Sequence, residues 1–417
     1  MAANLLCLTA GGGIPVFSRC KGNVKQLPFP VLGSLNGVHM FCDTNGVNLQ
    51  SCLTEDAKVV WKTFYDSLTL IIITQDDNAS DLHLTQTLDL VFHSLVLLYG
   101  LDDLSNIKNV ERFKREIRVC YQVCDRLLEA VDSSTSFSDL TGSVDVMMST
   151  ENQLLQTYLD AFVNAASSPF GFVILSGRVS VATSKWWKMD VVERVILTIL
   201  VSSLPKSSSR DIPVFLPISS PKVPHRLMTF SLASDVEVCV VCGPKPTLAD
   251  LQSEVVRFWK SSVDSLASLS RNFPRCFPPN AALDKNLLGF LLENTDTGVC
   301  LSSVQPFGPN DSDPSLSPSK RAKILRNFYK HVIGTVWHKN EIGAQAETQS
   351  MHLNESERLL HVASDTYVCT STHKCYALWT GEYRLLAVFN KSLPTYAMRS
   401  VCHKTLEILM RDKNVTL

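Results

Sequence analysis

Asn4-Leu5-Leu6-Cys7-Leu8-Thr9-Ala10-Gly11-Gly12-Gly13-Ile14-Pro15-Val16-Phe17 is two apolar runs joined by three glycines, the pattern of a β-hairpin with a tight turn. The same arrangement returns twice, over residues 171–182 around Ser176-Gly177 and over residues 287–301 around Asn294 to Gly298. Each hairpin opens into an amphipathic helix, followed by further strands and a long closing helix. Recurrence at this scale predicts three copies of one α+β unit rather than a single large fold. It also points away from an active-site cleft, because no copy assembles a catalytic group.

The bulk numbers set the frame. A chain of 417 residues holds two to four ordinary domains, each with its own core. With 45% hydrophobic and 19% charged residues the composition is globular, far from disorder. The net charge of −1 supplies no overall field toward nucleic acid or anionic lipid. Thirteen cysteines, an odd number without a framework, read as reduced thiols of a cytosolic protein. Cys239 and Cys242 fall in one strand, where a separation of three sends side chains to opposite faces. Cys120 and Cys124 share a helix face and act there as small hydrophobes. The opening Met1-Ala2-Ala3-Asn4 lacks a charged leader segment and passes at once into a strand, so no signal peptide is expected. No apolar run approaches the roughly 18–20 residues that span a bilayer, so any membrane contact is expected to be peripheral.

The first unit is expected to occupy residues 1–131. Strands are predicted over 5–9, 15–19, 47–53, 58–65 and 68–74, with a helix over 27–40 in which Leu32, Leu35 and Val38/His39 recur at helical spacing. Two helices close the unit, on the stripes Leu84, Leu88, Val91, Leu95 and Val110, Phe113, Ile117, Cys120, Cys124, Leu127. Residues 132–148, rich in Ser and Asp, read as a linker. The second unit, 149–273, is expected to hold a helix over 151–166 with a capping box of Thr150 and Gln153. After its hairpin come a helix over 191–204, strands over 213–217, 226–232 and 236–242, and a helix over 248–269 capped by Thr247. The third unit, 284–417, continues from its hairpin into a helix over 319–337 and an exposed insertion over 338–357. Strands over 359–363, 367–372, 374–380 and 383–390 and a helix over 395–410 complete it.

Gly11-Gly12-Gly13 is not followed by Gly-Lys-Ser/Thr, and Pro15 leads into a strand rather than a helix N-terminus, so a hairpin turn outweighs a phosphate loop. No nucleophile elbow, zinc signature or kinase motif is present, and no metal or other cofactor is expected. His331, His338 and His352 are the closest histidine grouping, on a helix end and a loop. Two helices carry basic faces: Lys108, Arg112, Lys114, Arg115 and Arg118 on one, Lys320, Arg321, Lys323, Arg326 and Lys330 on the other. These are solvated helix surfaces, or patches for a membrane or an acidic partner. Aromatic stacking residues are not interleaved on these basic faces, which argues against nucleic acid. Trp186, Trp187, Trp259 and Trp337 lie in or beside apolar stripes and read as core. The helix over 27–40 is odder. Gly33 and Gly37 sit inside it, each costing about 1 kcal/mol. Either another backbone approaches closely there, or the helix is kinked against its own sheet.

The same residues carry a resemblance. Pro28-Phe29-Pro30-Val31-Leu32-Gly33-Ser34-Leu35-Asn36-Gly37-Val38-His39-Met40-Phe41, Val59-Val60-Trp61-Lys62-Thr63-Phe64, Asn106-Ile107-Lys108-Asn109-Val110-Glu111-Arg112, Val223-Pro224-His225-Arg226-Leu227 and Leu325-Arg326-Asn327-Phe328-Tyr329 closely resemble the Fuzzy family of planar cell polarity effectors. The match spans essentially the whole chain, apart from 132–148 and 338–357. It implies an α+β fold of three longin-like domains, each an antiparallel five-stranded sheet flanked by helices. It further implies a heterodimer with Inturned, itself longin-bearing, and a β-propeller partner, in a ciliogenesis and planar polarity complex at basal bodies in the cytoplasm and cytoskeleton. Paired tri-longin proteins of this architecture act as guanine nucleotide exchange factors for Rab GTPases, an activity that needs binding surfaces and no catalytic side chain. On that resemblance Leu35, Asn36, His39 and Phe41 are expected to form the surface for Inturned and a Rab or Rab-like GTPase. A scaffold that binds the same partners without accelerating exchange remains the alternative, and a lipid-binding adaptor resting on the two basic helices is a third reading.

Overall fold

The computed structural model describes residues 3–22, 26–76, 79–133, 136–308, 316–337 and 363–411. The first hairpin pairs β1 (Ala3–Thr9) with β2 (Pro15–Lys21), and Gly13 closes it at φ +60°. Helix α1 (Phe29–Thr44) carries the chain over one face of the sheet. Strands β3 (Ser51–Leu53), β4 (Lys58–Phe64) and β5 (Leu68–Thr74) then meander back until β5 lies antiparallel to β1. The resulting order is β2-β1-β5-β4-β3. Strand alternation divides the side chains between two cores. Leu5, Cys7, Val60, Leu70 and Ile72 face the main core, and Leu6, Leu8, Val59, Trp61 and Ile71 face a smaller one under α1. The main-core face is covered by α2 (Asp81–Tyr99), α3 (Leu101–Ser105), α4 (Val110–Glu116), a 3-10 turn (Ile117–Cys120) and α5 (Tyr121–Ser133).

The predicted linker is structured. Residues 132–148 contain α6 (Ser138–Thr141) and a buried strand, β6 (Val144–Val146). The second unit follows with α7 (Asn152–Ala165), β7 (Phe170–Leu175), β8 (Arg178–Ala182), α8 (Ser184–Trp187) and α9 (Val191–Ser203). Its meander is β9 (Ser209–Leu216), β10 (Ser220–Ala233) and β11 (Val236–Cys242), closed by α10 (Leu248–Trp259), a 3-10 turn and α11 (Val263–Arg271). The third unit repeats the plan with β12 (Leu287–Asn294), β13 (Val299–Ser303) and α12 (Pro318–His331), which continues as a π-helical segment (Val332–Trp337). It ends with β14 (Asp365–Cys369), β15 (His373–Thr380), β16 (Tyr383–Asn390) and α13 (Met398–Met410). The strand predicted over 359–363 and His338 and His352 fall largely or wholly outside the described residues.

Both later sheets have the strand order of the first, and each is antiparallel within itself. They do not stay apart. Strand β6 pairs parallel with β13 on one side and with β8 on the other, so two five-stranded sheets and one bridging strand make a continuous sheet of eleven. The capping box expected at Thr150 and Gln153 does not form, and α7 has no side-chain cap. Instead Asn152 is buried, donating through Nδ2 to Ser180 O (3.2 Å) and Met147 O (3.4 Å) and accepting from Ser180 Oγ (3.0 Å). The helix starts where the bridging segment is tied to β8. Thr247 does cap α10, in a box with Asp250. Trp186, Trp259 and Trp337 are core residues, and Trp187 is partly buried against it. Burial pushes the Cys124 thiol up to about 12 and the Cys242 thiol up to about 11, so both pack as neutral thiols.

The second predicted basic face is where the structure departs most from the expectation. Arg321, Arg326 and Lys330 are buried, and only Lys320 and Lys323 of that set are exposed. Arg321 donates to the carbonyls of Leu316 (2.9 Å), Leu288 (3.3 Å) and Val304 (3.4 Å). Arg326 grips Asp139 with both Nη atoms and also donates to Ser136 O (2.9 Å) and Ala130 O. Lys330 Nζ lies 2.8 Å from Asp76 Oδ2, tying the third unit to the first. These residues flank the apolar stripe of α12; the partners of Arg321 are carbonyls of its own unit and those of Arg326 and Lys330 come from outside it, which helical periodicity alone does not reveal.

A buried pair of this kind is costly to break singly. Lys330→Met is expected to lower stability by about 3–5 kcal/mol in urea unfolding, and Asp76→Leu with Lys330→Met by clearly less than the single change. His83 is buried beside the same cations. Desolvation first, then Lys330 and Arg326, hold its pKa well below the usual histidine value. Its stabilising share is therefore complete above about pH 6.5 and is lost as pH falls below that toward the depressed native value. Urea midpoints at pH 7.5 and 5.5 should converge in His83→Leu relative to the parent chain, by up to about 1.4 kcal/mol per pH unit.

Candidate interaction surface

In each unit the helix after the hairpin occupies the same place on its sheet, but the three have different surroundings. Helix α9 buries Val195, Ile196, Leu197, Leu200 and Val201 and packs against α2 and α5 of the first unit. Helix α12 buries Leu325, Phe328 and Tyr329 and packs against α5. Helix α1 has no buried residue at all. Yet it is apolar: from Phe29 to Cys42 it carries no Asp, Glu, Lys or Arg. A helix with that composition normally has a covering partner, because each large apolar side chain left in water forgoes about 1.5–3 kcal/mol of burial.

The helix has two sides. Leu32 and Leu35 are half-buried and lean on the minor core of Leu6, Leu8, Val59, Trp61 and Ile71. Asn36 is half-buried, and its carboxamide fills the space over the first hairpin turn. A Cβ at Gly13 would lie 2.0 Å from Asn36 Nδ2. His39 is also half-buried. The other side presents Gly33 and Gly37, whose Cα positions face open space, together with Met40 and Phe41. Phe41 is 71% exposed and Phe29 is 73% exposed. Val38 is exposed at the flank. The two glycines, one turn apart, form a flat strip on which another backbone can approach closely.

Beside this helix the sheet ends in β3, which pairs only with β4 among the described residues. Leu53 on it is 75% exposed, Cys52 is exposed, and Val47 before it is exposed too. An open strand edge next to an apolar helix is a combination that proteins rarely leave bare.

Of the four residues expected to form the partner surface, Phe41 faces fully outward. Leu35 and Asn36 help seat the helix on its own domain, and His39 is half-buried. Gly33 and Gly37, which the sequence already marked as a place for close backbone approach, lie on the outward side with Met40, while exposed Val38 and Leu53 were not singled out. On the first basic helix, Arg112 pairs with Glu116 (2.7 Å) and Lys114 with Glu111 (2.8 Å), while Lys108, Arg115 and Arg118 are exposed. Among the described residues no helix is long and apolar enough to cross a membrane.

Comparison with known proteins agrees with the three-unit architecture. Residues 3–127 match the model of the "First Longin domain of FUZ, MON1 and HPS1", residues 166–260 the second and residues 286–413 the third. The chain is 41% identical over 412 residues to "Protein fuzzy homolog" of Xenopus tropicalis, covering 98% of both. It is 39% identical over 411 residues to the protein of that name from Homo sapiens, covering 97% of both.

The glycine strip makes an opposed pair of effects testable. Gly37→Ala fills open space in an exposed helix interior and is expected to raise stability by about 0.5–1 kcal/mol. If the strip serves another backbone, the same change weakens association with a longin partner, and Phe41→Asp abolishes it without lowering the melting temperature. Thermal melts and pull-down on the same preparations read both.

Proposed function

The chain belongs to the Fuzzy family and carries all three of its longin domains, and on that premise we propose that it is a planar cell polarity and ciliogenesis effector that works by pairing. Its partner in this reading is Inturned, and the heterodimer acts as a guanine nucleotide exchange factor for a Rab-type GTPase. A β-propeller effector joins the assembly, which operates at the basal body in the cytoplasm and supports trafficking to the cilium. The observation that carries the proposal is α1, a helix without a charged residue from Phe29 to Cys42 and without a buried one, beside the edge of β3 that is open among the described residues.

Exchange by such a pair is differential binding. The factor binds the nucleotide-free GTPase more tightly than the GDP-bound form, and by linkage lowers the GTPase's affinity for GDP by the same factor. No nucleophile, base or metal of the factor takes part. The chain's own contribution is to set α1 and β3 as one half of a composite platform, held rigid by the ion pairs that clamp the other two units behind it.

The deciding measurement is release of a fluorescent GDP analogue from a panel of Rab and Rab-like GTPases, with this chain alone and with its co-purified partner. Acceleration of at least about tenfold by the pair only is the expected result, lost in Phe41→Asp. Binding without acceleration across the panel would replace the exchange factor by a scaffold that holds the same proteins.

A further inference from the structure

The first unit has a second unoccupied surface, on the opposite side of its sheet from α1. The run α4, 3-10 turn and α5 buries Phe113, Ile117, Cys120, Val123, Cys124 and Leu127 on its inner side. The outer side presents Arg115, Arg118 and Arg126, with exposed Val119 and Gln122 between them, at the spacing of one helical face. Lys108 continues the line before α4. The acids of this helix are already engaged. Glu111 pairs with Lys114, Glu116 with Arg112, Asp125 with Arg19 (2.5 Å), and Glu129 with Lys21 (2.8 Å). Arg115 reaches only the backbone carbonyl of Glu111, at 3.4 Å. Arg118 and Arg126 have no ion-pair partner among the described residues.

Arg126 stands at the wall of a cleft of about 490 Å³ between the first and second units. The opposite walls are the Ser176-Gly177 turn, the end of α9 at Ser202, and the loops carrying Lys206 and Ser234. Lys206 pairs with Asp235 at 2.5 Å and the lining Glu237 with Arg210 at 2.5 Å, so among the described residues the lining charge without an ion-pair partner is the guanidinium of Arg126.

We propose that this stripe and the cleft at its end bind an extended acidic polypeptide segment carrying an apolar side chain. Charge complementarity selects the partner: Arg118 and Arg126, without an ion-pair partner among the described residues, share one face with Arg115, while the acids of the same helix are already engaged, and such a row favours carboxylates at matching intervals. From Arg115 to Arg126 the helix rises about 17 Å, the length of about five extended residues. Val119 offers the apolar contact midway. The concave end distinguishes a polypeptide from a bilayer, since a flat surface that touches Arg115 and Arg118 does not enter the cleft to reach Arg126. This surface is independent of α1 and does not rest on the exchange-factor reading.

The test uses the full chain and a fluorescein-labelled peptide, Glu-Glu-Leu-Glu-Glu-Glu, by fluorescence anisotropy at low and at physiological salt. Saturable, salt-sensitive binding is expected, weakened at least about tenfold in Arg118→Glu with Arg126→Glu and unchanged in Lys320→Glu with Lys323→Glu. Arg118→Gln with Arg126→Gln, which removes charge without reversing it, should lose binding by a smaller factor and guards against a folding defect seen by circular dichroism. Val119→Ser should reduce the preference over an all-glutamate peptide. Vesicles of phosphatidylcholine mixed with phosphatidylserine form the other arm, because an anionic surface attracts basic residues. Peptide binding that survives both of the Arg118 and Arg126 double variants, or binding to vesicles but not to the peptide, overturns the proposal.

Discussion

The rest of the molecule hangs on three residues, Val144–Val146, inserted as a parallel strand between β8 and β13. Their backbone satisfies two sheet edges that would otherwise lie open, and an open edge is a site of uncontrolled pairing. The central residue is Asp145, buried and held against Arg178 at 3.3 Å with Ser302 Oγ at 3.2 Å. Burial pushes the Asp145 carboxyl up, while Arg178 opposes that shift. A lone carboxylate there would be prohibitive, and the arginine of one unit and the serine of another make it tolerable. The second and third units therefore meet through a shared strand with a shared ion pair.

Further cations on α12 extend the same logic. Arg326 holds the segment just before β6 through Asp139, and Lys330 reaches back to Asp76 of the first unit. Arg194 on α9 donates to Thr297 O at 2.8 Å, where Gly298 leaves room for Val191. Phe215 on β9 stacks over the backbone of Gly100. These contacts cover α9 and α12, and they explain why equivalent helices in a threefold repeat have unequal surfaces. Two are consumed inside the chain, and α1 is left without a cover among the described residues. The functional asymmetry of the repeat is thus a consequence of how the units lock together.

How much of this is legible in sequence depends on the range of the interaction. Hairpin turns, strand alternation in β4 and the apolar stripes of α2 and α5 are local patterns, and they appear where expected. The Thr247 cap is local too. The Thr150 cap fails because Asn152 is drawn to Ser180, nearly thirty positions away, a competition that a local motif cannot register. The bridging strand hides in a Ser- and Asp-rich segment because three residues are too short to show a period. The basic face of α12 reads as solvated because its partners, Asp139 and Asp76, are remote in the chain. At α1 the two glycines and the uncharged run were visible, but which side of the helix they occupy was not.

By itself the sequence determined the repeat, most of the strands and longer helices of each unit, the family, and the unusual composition of one helix. Those are properties of local periodicity and residue type, which near neighbours in the chain dictate. Only the tertiary structure decided that the linker is a strand, that three of five cations on α12 are internal clamps, and that α1 is the helix without a cover. Each of those outcomes turns on desolvation and pairing between residues far apart in sequence, and burial is known only once the units have packed.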